Sequence, residues 1–167
     1  VEVVDLAGLE TESLSALSSK QLAALTTAQV AGLTSDQVLN LTTKQLSGLT
    51  SLQIGAIETE DLAEMGTNQI ASLSVSQIVG LGADQVATLT TEHIGVLNTD
   101  QMAVLSTDQI AALTTDQIAE LSTDQLSVLS AAQLSGMEAL DFASLLDDQL
   151  TSLSADQLQN LTTDQVT

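Results

Sequence analysis

The chain has 167 residues, a formal charge of −20, Lys20 and Lys44 as its only lysines or arginines, no cysteine, and Phe142 as its single aromatic residue. Such a surface repels phosphate backbones and anionic lipid, which argues against nucleic acid as a partner, and no apolar run approaches the ~18–20 residues needed to span a bilayer. Without cysteine there is neither a disulfide nor a thiolate metal site, and apolar residues that make up 44% of the chain in strict register exclude a disordered polymer.

The register is a repeat of eight. Numbered from its leucine, the octad is clearest at Leu105-Ser106-Thr107-Asp108-Gln109-Ile110-Ala111-Ala112 and again at Leu113-Thr114-Thr115-Asp116-Gln117-Ile118-Ala119-Glu120. Stepping by eight covers residues 1–167 as twenty full octads and a truncated twenty-first, with no insertion or deletion. This reads as one repeat array, expected to be part of a longer one.

In chain order, the first two octads, Val1 to Ala16, carry the apolar skeleton but lack the glutamine, and Val1–Val4, like the truncated end at Thr167, suit an exposed end cap poorly. From Leu17 the pattern is regular until Ile57-Glu58-Thr59-Glu60-Asp61 concentrates acid, and it departs again from Met137 to Asp148, where Ser/Thr is lost at position 2 and Phe142 takes position 6. Position 1 is Leu in seventeen of twenty-one octads, position 6 is apolar in all, and position 5 is Gln in sixteen. Positions 2 and 3 are mostly Ser or Thr, position 4 is often Asp, and position 7 is usually small.

A continuous helix cannot use this pattern, because eight residues turn through about 800° and the apolar stripe would slip by ~80° per octad. A continuous strand would send positions 1 and 6 to opposite faces. The chain must therefore bend once per octad. Ser or Thr at position 2 with Gln at position 5 is a capping box, as in Thr114 and Gln117, and Asp at position 4 then lies in a first turn that favours negative charge. Gly or Asn at position 8 (Gly8, Gly32, Asn40, Gly48, Gly80, Gly136, Asn160) marks where each helix relaxes or turns. The predicted architecture is all-α: a solenoid of short capped helices, one per octad, each of about six or seven residues from position 3 to the next position 1. A β-solenoid with Thr and Gln ladders is the alternative, disfavoured by the alanines and the capping boxes.

The predicted core includes Leu105, Ile110, Leu113, Ile118, Leu121 and Leu126, since positions 6 and 1 are i and i+3 on one helix face. Thr114 is predicted as a cap, and Gln109, Gln117 and Gln125 as rungs of an amide ladder that satisfies backbone groups between coils. His93 replaces one glutamine and reads as a substitution within that ladder, since a lone imidazole is a poor metal site. No other general base accompanies it, so the chain is expected to have no enzymatic activity. The position-4 aspartates read first as a solvated face. Asp100, Asp108, Asp116 and Asp124 are weak calcium candidates, although calcium needs six to eight oxygens around it. No other cofactor is suggested. An ice-binding array of threonines is a further alternative, weakened because the position-2 hydroxyls are needed as caps.

The Leu-Thr-Thr-Asp-Gln-Ile-Ala-Ala octads resemble the low-complexity Leu/Thr/Gln repeats of very large bacterial secreted or surface proteins of adhesin type. That resemblance implies an extracellular or cell-surface setting and a spacer, adhesive, biofilm-matrix or fibre-forming role. The expected partner is self, as a homopolymer or a longer array of the same repeat. The alternative is a binding module that uses the Asp or Thr rows for calcium or ice.

Overall fold

A computed structural model describes residues 11–165. The octad Val1–Gly8 and the chain end at Thr167, poor end caps by sequence, lie outside that range. Among the described residues are nineteen α-helices of four to six residues, from Thr11–Ser15 to Ala155–Gln159, then a 3-10 turn at Thr163–Gln165 and no strand.

Each octad folds for a local reason. Position 2 takes the extended conformation of an N-cap (Thr114, φ −75°, ψ 158°), and the helix runs from position 3 to position 7, as in Thr115–Ala119. The predicted length of six or seven residues is thus one or two too long. The cause is that the next cap must be extended, so the helix unwinds before it. The position-1 N–H closes the last turn on the carbonyl three residues back (Leu113 N to Ile110 O, 3.1 Å).

Strong contacts between elements join helices three apart in the chain, for example Ser51–Ile54 with Val75–Val79 and Ala83–Thr88 with Thr107–Ala111. Three octads, 24 residues, therefore make one turn of a three-sided solenoid. One face carries the octads starting at Leu17, Leu41, Met65, Leu89, Leu113 and Met137. The second carries those starting at Leu25, Leu49, Leu73, Leu97, Leu121 and Leu145, and the third those starting at Leu33, Ile57, Leu81, Leu105, Leu129 and Leu153.

The core is a single column enclosed by the three faces. Position-6 side chains such as Ile110, Ile118 and Leu126 are fully buried, and position-1 side chains such as Leu105, Leu113 and Leu121 are nearly so. Each contributes roughly 1.5–3 kcal/mol on burial. Helices this short cannot persist alone in water, so stacking is what makes them helices.

Gly32, Asn40, Gly80, Gly136 and Asn160 stand just past the last helical residue, where the sequence places the end of each helix, without entering the left-handed region. No described residue has a positive φ, and Gly80 sits at φ −76°. Glycine serves close approach instead. A Cβ on Gly48 would lie 2.4 Å from the Ser19 carbonyl oxygen, and one on Gly80 2.4 Å from that of Ser51, both one coil below. The asparagines act differently, with Asn40 Nδ2 donating to Asp36 O at 2.7 Å and Asn160 Nδ2 to Asp156 O at 2.8 Å.

Gly80→Ala should destabilise the protein by about 1–3 kcal/mol through the forced separation of two coils. Gly95, whose Cβ would meet nothing within 4 Å, should gain about 0.5–1 kcal/mol on substitution by Ala within its helix. Thermal unfolding of the two variants, with opposite shifts, checks the assignment of glycine to coil contact.

Candidate functional site

The most organised chemical feature is the row of position-5 glutamines, in which one amide joins the cap of its own helix to carbonyls of the coil below. Gln117 is 2% exposed. Its Oε1 accepts from the Thr114 N–H at 2.7 Å, while the Gln117 N–H donates to Thr114 Oγ1 at 3.3 Å, which completes the capping box. Its Nε2 then donates to the preceding coil, to Val86 O at 3.2 Å and to Leu89 O.

Gln109 and Gln125 repeat this geometry. Gln109 Oε1 accepts from Ser106 N–H at 2.7 Å, and its Nε2 donates to Ile78 O at 3.1 Å and Leu81 O at 2.8 Å. Gln125 Oε1 accepts from Ser122 N–H at 2.9 Å, and its Nε2 donates to Ile94 O at 2.8 Å and Leu97 O at 2.9 Å. For these three glutamines acceptors lie 28 and 31 residues back, which is one 24-residue coil plus four or seven, while Gln101 and Gln149 use carbonyls 28 and 30 back. Among the described residues no buried side-chain nitrogen or oxygen lacks a hydrogen-bond partner.

Where the cap has no side-chain oxygen, half of the box persists. Gly66, Gly82 and Leu146 still donate their backbone N–H to Gln69, Gln85 and Gln149 Oε1 at 2.8, 2.7 and 2.6 Å. His93 takes the same place with an imidazole. Nδ1 accepts from Thr90 N–H at 3.3 Å and Nε2 lies 2.8 Å from Met65 O, an arrangement that assigns the neutral tautomer with the proton on Nε2.

Two buried aspartates break the row. Asp61 and Asp141 follow Glu58 and Glu138, caps that make no side-chain bond to their helices. A carboxylate only accepts and is one carbon shorter, so it cannot donate to the carbonyls below. Asp141 Oδ1 instead accepts from Thr115 Oγ1 of the preceding coil at 2.6 Å. The sequence carried the signal for this in an acid at position 2 paired with Asp at position 5, a pairing that the capping-box reading passed over.

The position-4 aspartates are exposed and split among faces. Asp100 and Asp124 stand on the second face in adjacent coils, Asp108 on the third and Asp116 on the first. Among the described residues no three His, Cys, Asp or Glu side chains converge so as to hold a metal ion. On the third face, the exposed Glu60 carboxyl is held below the ordinary carboxylate range by its own backbone N–H and then by the Thr59 hydroxyl. The position-2 hydroxyls are occupied as caps, so they do not form a free hydroxyl array.

The open groove between Ser15–Lys20 and Thr42–Gln45 has Lys20 and Lys44 among its lining residues. The Gln45 amide there is committed to Leu14 O and Leu17 O, each at 3.0 Å. No described helix is long and apolar enough to cross a membrane.

A sequence model described as the ALTTAQ repeat matches residues 6–43, 54–91 and 87–115, together more than half of the chain. The motif stands literally at Ala24-Leu25-Thr26-Thr27-Ala28-Gln29. No curated protein matches the chain.

Gln117→Glu places an acceptor against the Val86 and Leu89 carbonyls and should cost about 2–4 kcal/mol, a buried charge-assisted loss rather than a single missing bond. Asp141→Gln should do the reverse and raise stability by about 1–2 kcal/mol, because the new amide supplies the missing donor. Chemical denaturation of both variants reads the sign directly.

Proposed function

The chain belongs to the ALTTAQ repeat family, and from that premise we propose that it is a non-catalytic structural element, a stiff rod or filament segment that works outside the cell or at its surface. The observation that supports this most is the direction of the ladder. Each coil offers carbonyls forward and glutamine amides backward, so a further coil adds the same bonds, whether it comes from the same chain or from another copy. Heterologous contacts of this kind extend into filaments rather than closing. The strong negative charge suits such a rod, since it keeps neighbouring rods apart and soluble. A spacer, adhesive or biofilm-matrix role fits these properties, with self as the first partner. The resemblance of the octads to those of large bacterial surface proteins of adhesin type favours the same setting.

Electron microscopy of the purified chain across a concentration series, in chelator and in millimolar calcium, tests this. The expected result is rods of constant width whose length grows with concentration under both conditions. Particles of fixed short length throughout would overturn end-to-end growth. Lengthening confined to calcium would transfer the function to acidic columns such as Asp36, Glu60, Asp84 and Asp108.

A further inference from the structure

The three faces differ sharply over the N-terminal coils. On the second face, the successive octads Leu25–Gly32, Leu49–Ala56 and Leu73–Gly80 contain no charged residue, in a chain with 22 acidic side chains. This face instead presents Leu52 at 75%, Val79 at 56% and Val75 at 39% exposure. Gly55 and Gly80 bring its two upper helices together, since a Cβ on Gly55 would lie 2.4 Å from the Gly80 carbonyl oxygen. Further along the same face the charge returns with Asp100, Asp124, Asp147 and Asp148.

We propose that this uncharged strip is a lateral docking surface for a second copy of the chain, paired parallel and side by side. Two rods of like charge repel wherever acid meets acid, and this strip is where they approach without that cost. A contiguous exposed apolar patch on a soluble chain marks an interaction surface.

Charge on the flanking faces decides the orientation. Over the same coils the first face carries Lys20 and Lys44, and the third carries Asp36, Glu58, Glu60, Glu64 and Asp84, all exposed. A two-fold axis parallel to the rods brings the first face of one copy beside the third face of the other, so lysines flank acids at both edges. An antiparallel pair centred on the strip sets Lys44 beside Lys44 and acid beside acid. The parallel pair is therefore the favoured one. The patch spans only three coils, a small surface for an interface, so pairing is weak and concentration-dependent. It does not depend on end-to-end growth, which leaves the sides of the rods apart.

The absence of cysteine permits a direct test by oxidative cross-linking of single-cysteine variants. In the parallel pair Ser76 meets its own counterpart, so Ser76→Cys should form a disulfide-linked dimer at least tenfold faster than Asn68→Cys, an exposed site on the first face. Adding Leu52→Asp and Val79→Asp, both at exposed positions, should remove that advantage while circular dichroism stays unchanged. Equal rates for Ser76→Cys and Asn68→Cys would overturn the docking surface. Preferential linkage between Ala28→Cys and Ser76→Cys chains when mixed would overturn the parallel arrangement.

Discussion

The fold depends on one property of the glutamine side chain. A primary amide carries an acceptor and two donors at the end of two methylenes, so one buried group can serve two backbones at once. At position 5 its oxygen accepts the N–H that the cap leaves open, and its nitrogen reaches the carbonyls that end the helix one coil below. Both helix termini in this fold are short of partners, because helices of about five residues leave most of their backbone groups unpaired. The amide closes both deficits from inside the core. His93 can substitute because neutral imidazole also has one acceptor and one donor at a similar reach. Aspartate cannot, having acceptors alone.

This constraint explains the plainness of the rest. With hydrogen bonding handled by one position, positions 6 and 1 need only fill a narrow column, and Leu, Ile, Val and Met do so without aromatic bulk. Phe142, the one aromatic, sits in an octad where the amide is lost to Asp141 and the cap is Glu138. The close spacing that lets amides cross between coils also demands small residues at the seam, which is why Gly48, Gly55 and Gly80 stand against backbone carbonyls. Side chains pointing outward at positions 3 and 4 are free of these demands. There the octads diverge, over the N-terminal coils, into an uncharged strip, a strip with the only lysines, and an acidic one.

Much of this was legible in the sequence, and the parts that were not have physical causes. The helix per octad follows from Thr114 and Gln117 at capping-box spacing, and the core from Ile118 and Leu121 at i and i+3. The number of octads per coil was not legible, because the residues repeat every eight and only the geometry repeats every 24. Consequently Asp100, Asp108, Asp116 and Asp124 read as one row, although they stand on three faces. Glycine at position 8 suggested a turn because local chain geometry is what a sequence displays, whereas its cause lies about 25–30 residues away. The acid pairs Glu58 with Asp61 and Glu138 with Asp141 were visible as a pattern, and the same pairing stands at Glu2 and Asp5 outside the described residues.

The ladder requires the amides to reach back one full coil of three octads. Distance measurement between paired spin labels on cysteines placed at exposed position-4 sites tests it most directly. Labels at Asp100 and Asp124 should be closer, with backbones roughly 8–10 Å apart as for packed helices, than labels at Asp100 and Asp108 or at Asp108 and Asp124. A separation that rises steadily with the number of intervening residues would contradict the three-octad coil and, with it, the ladder.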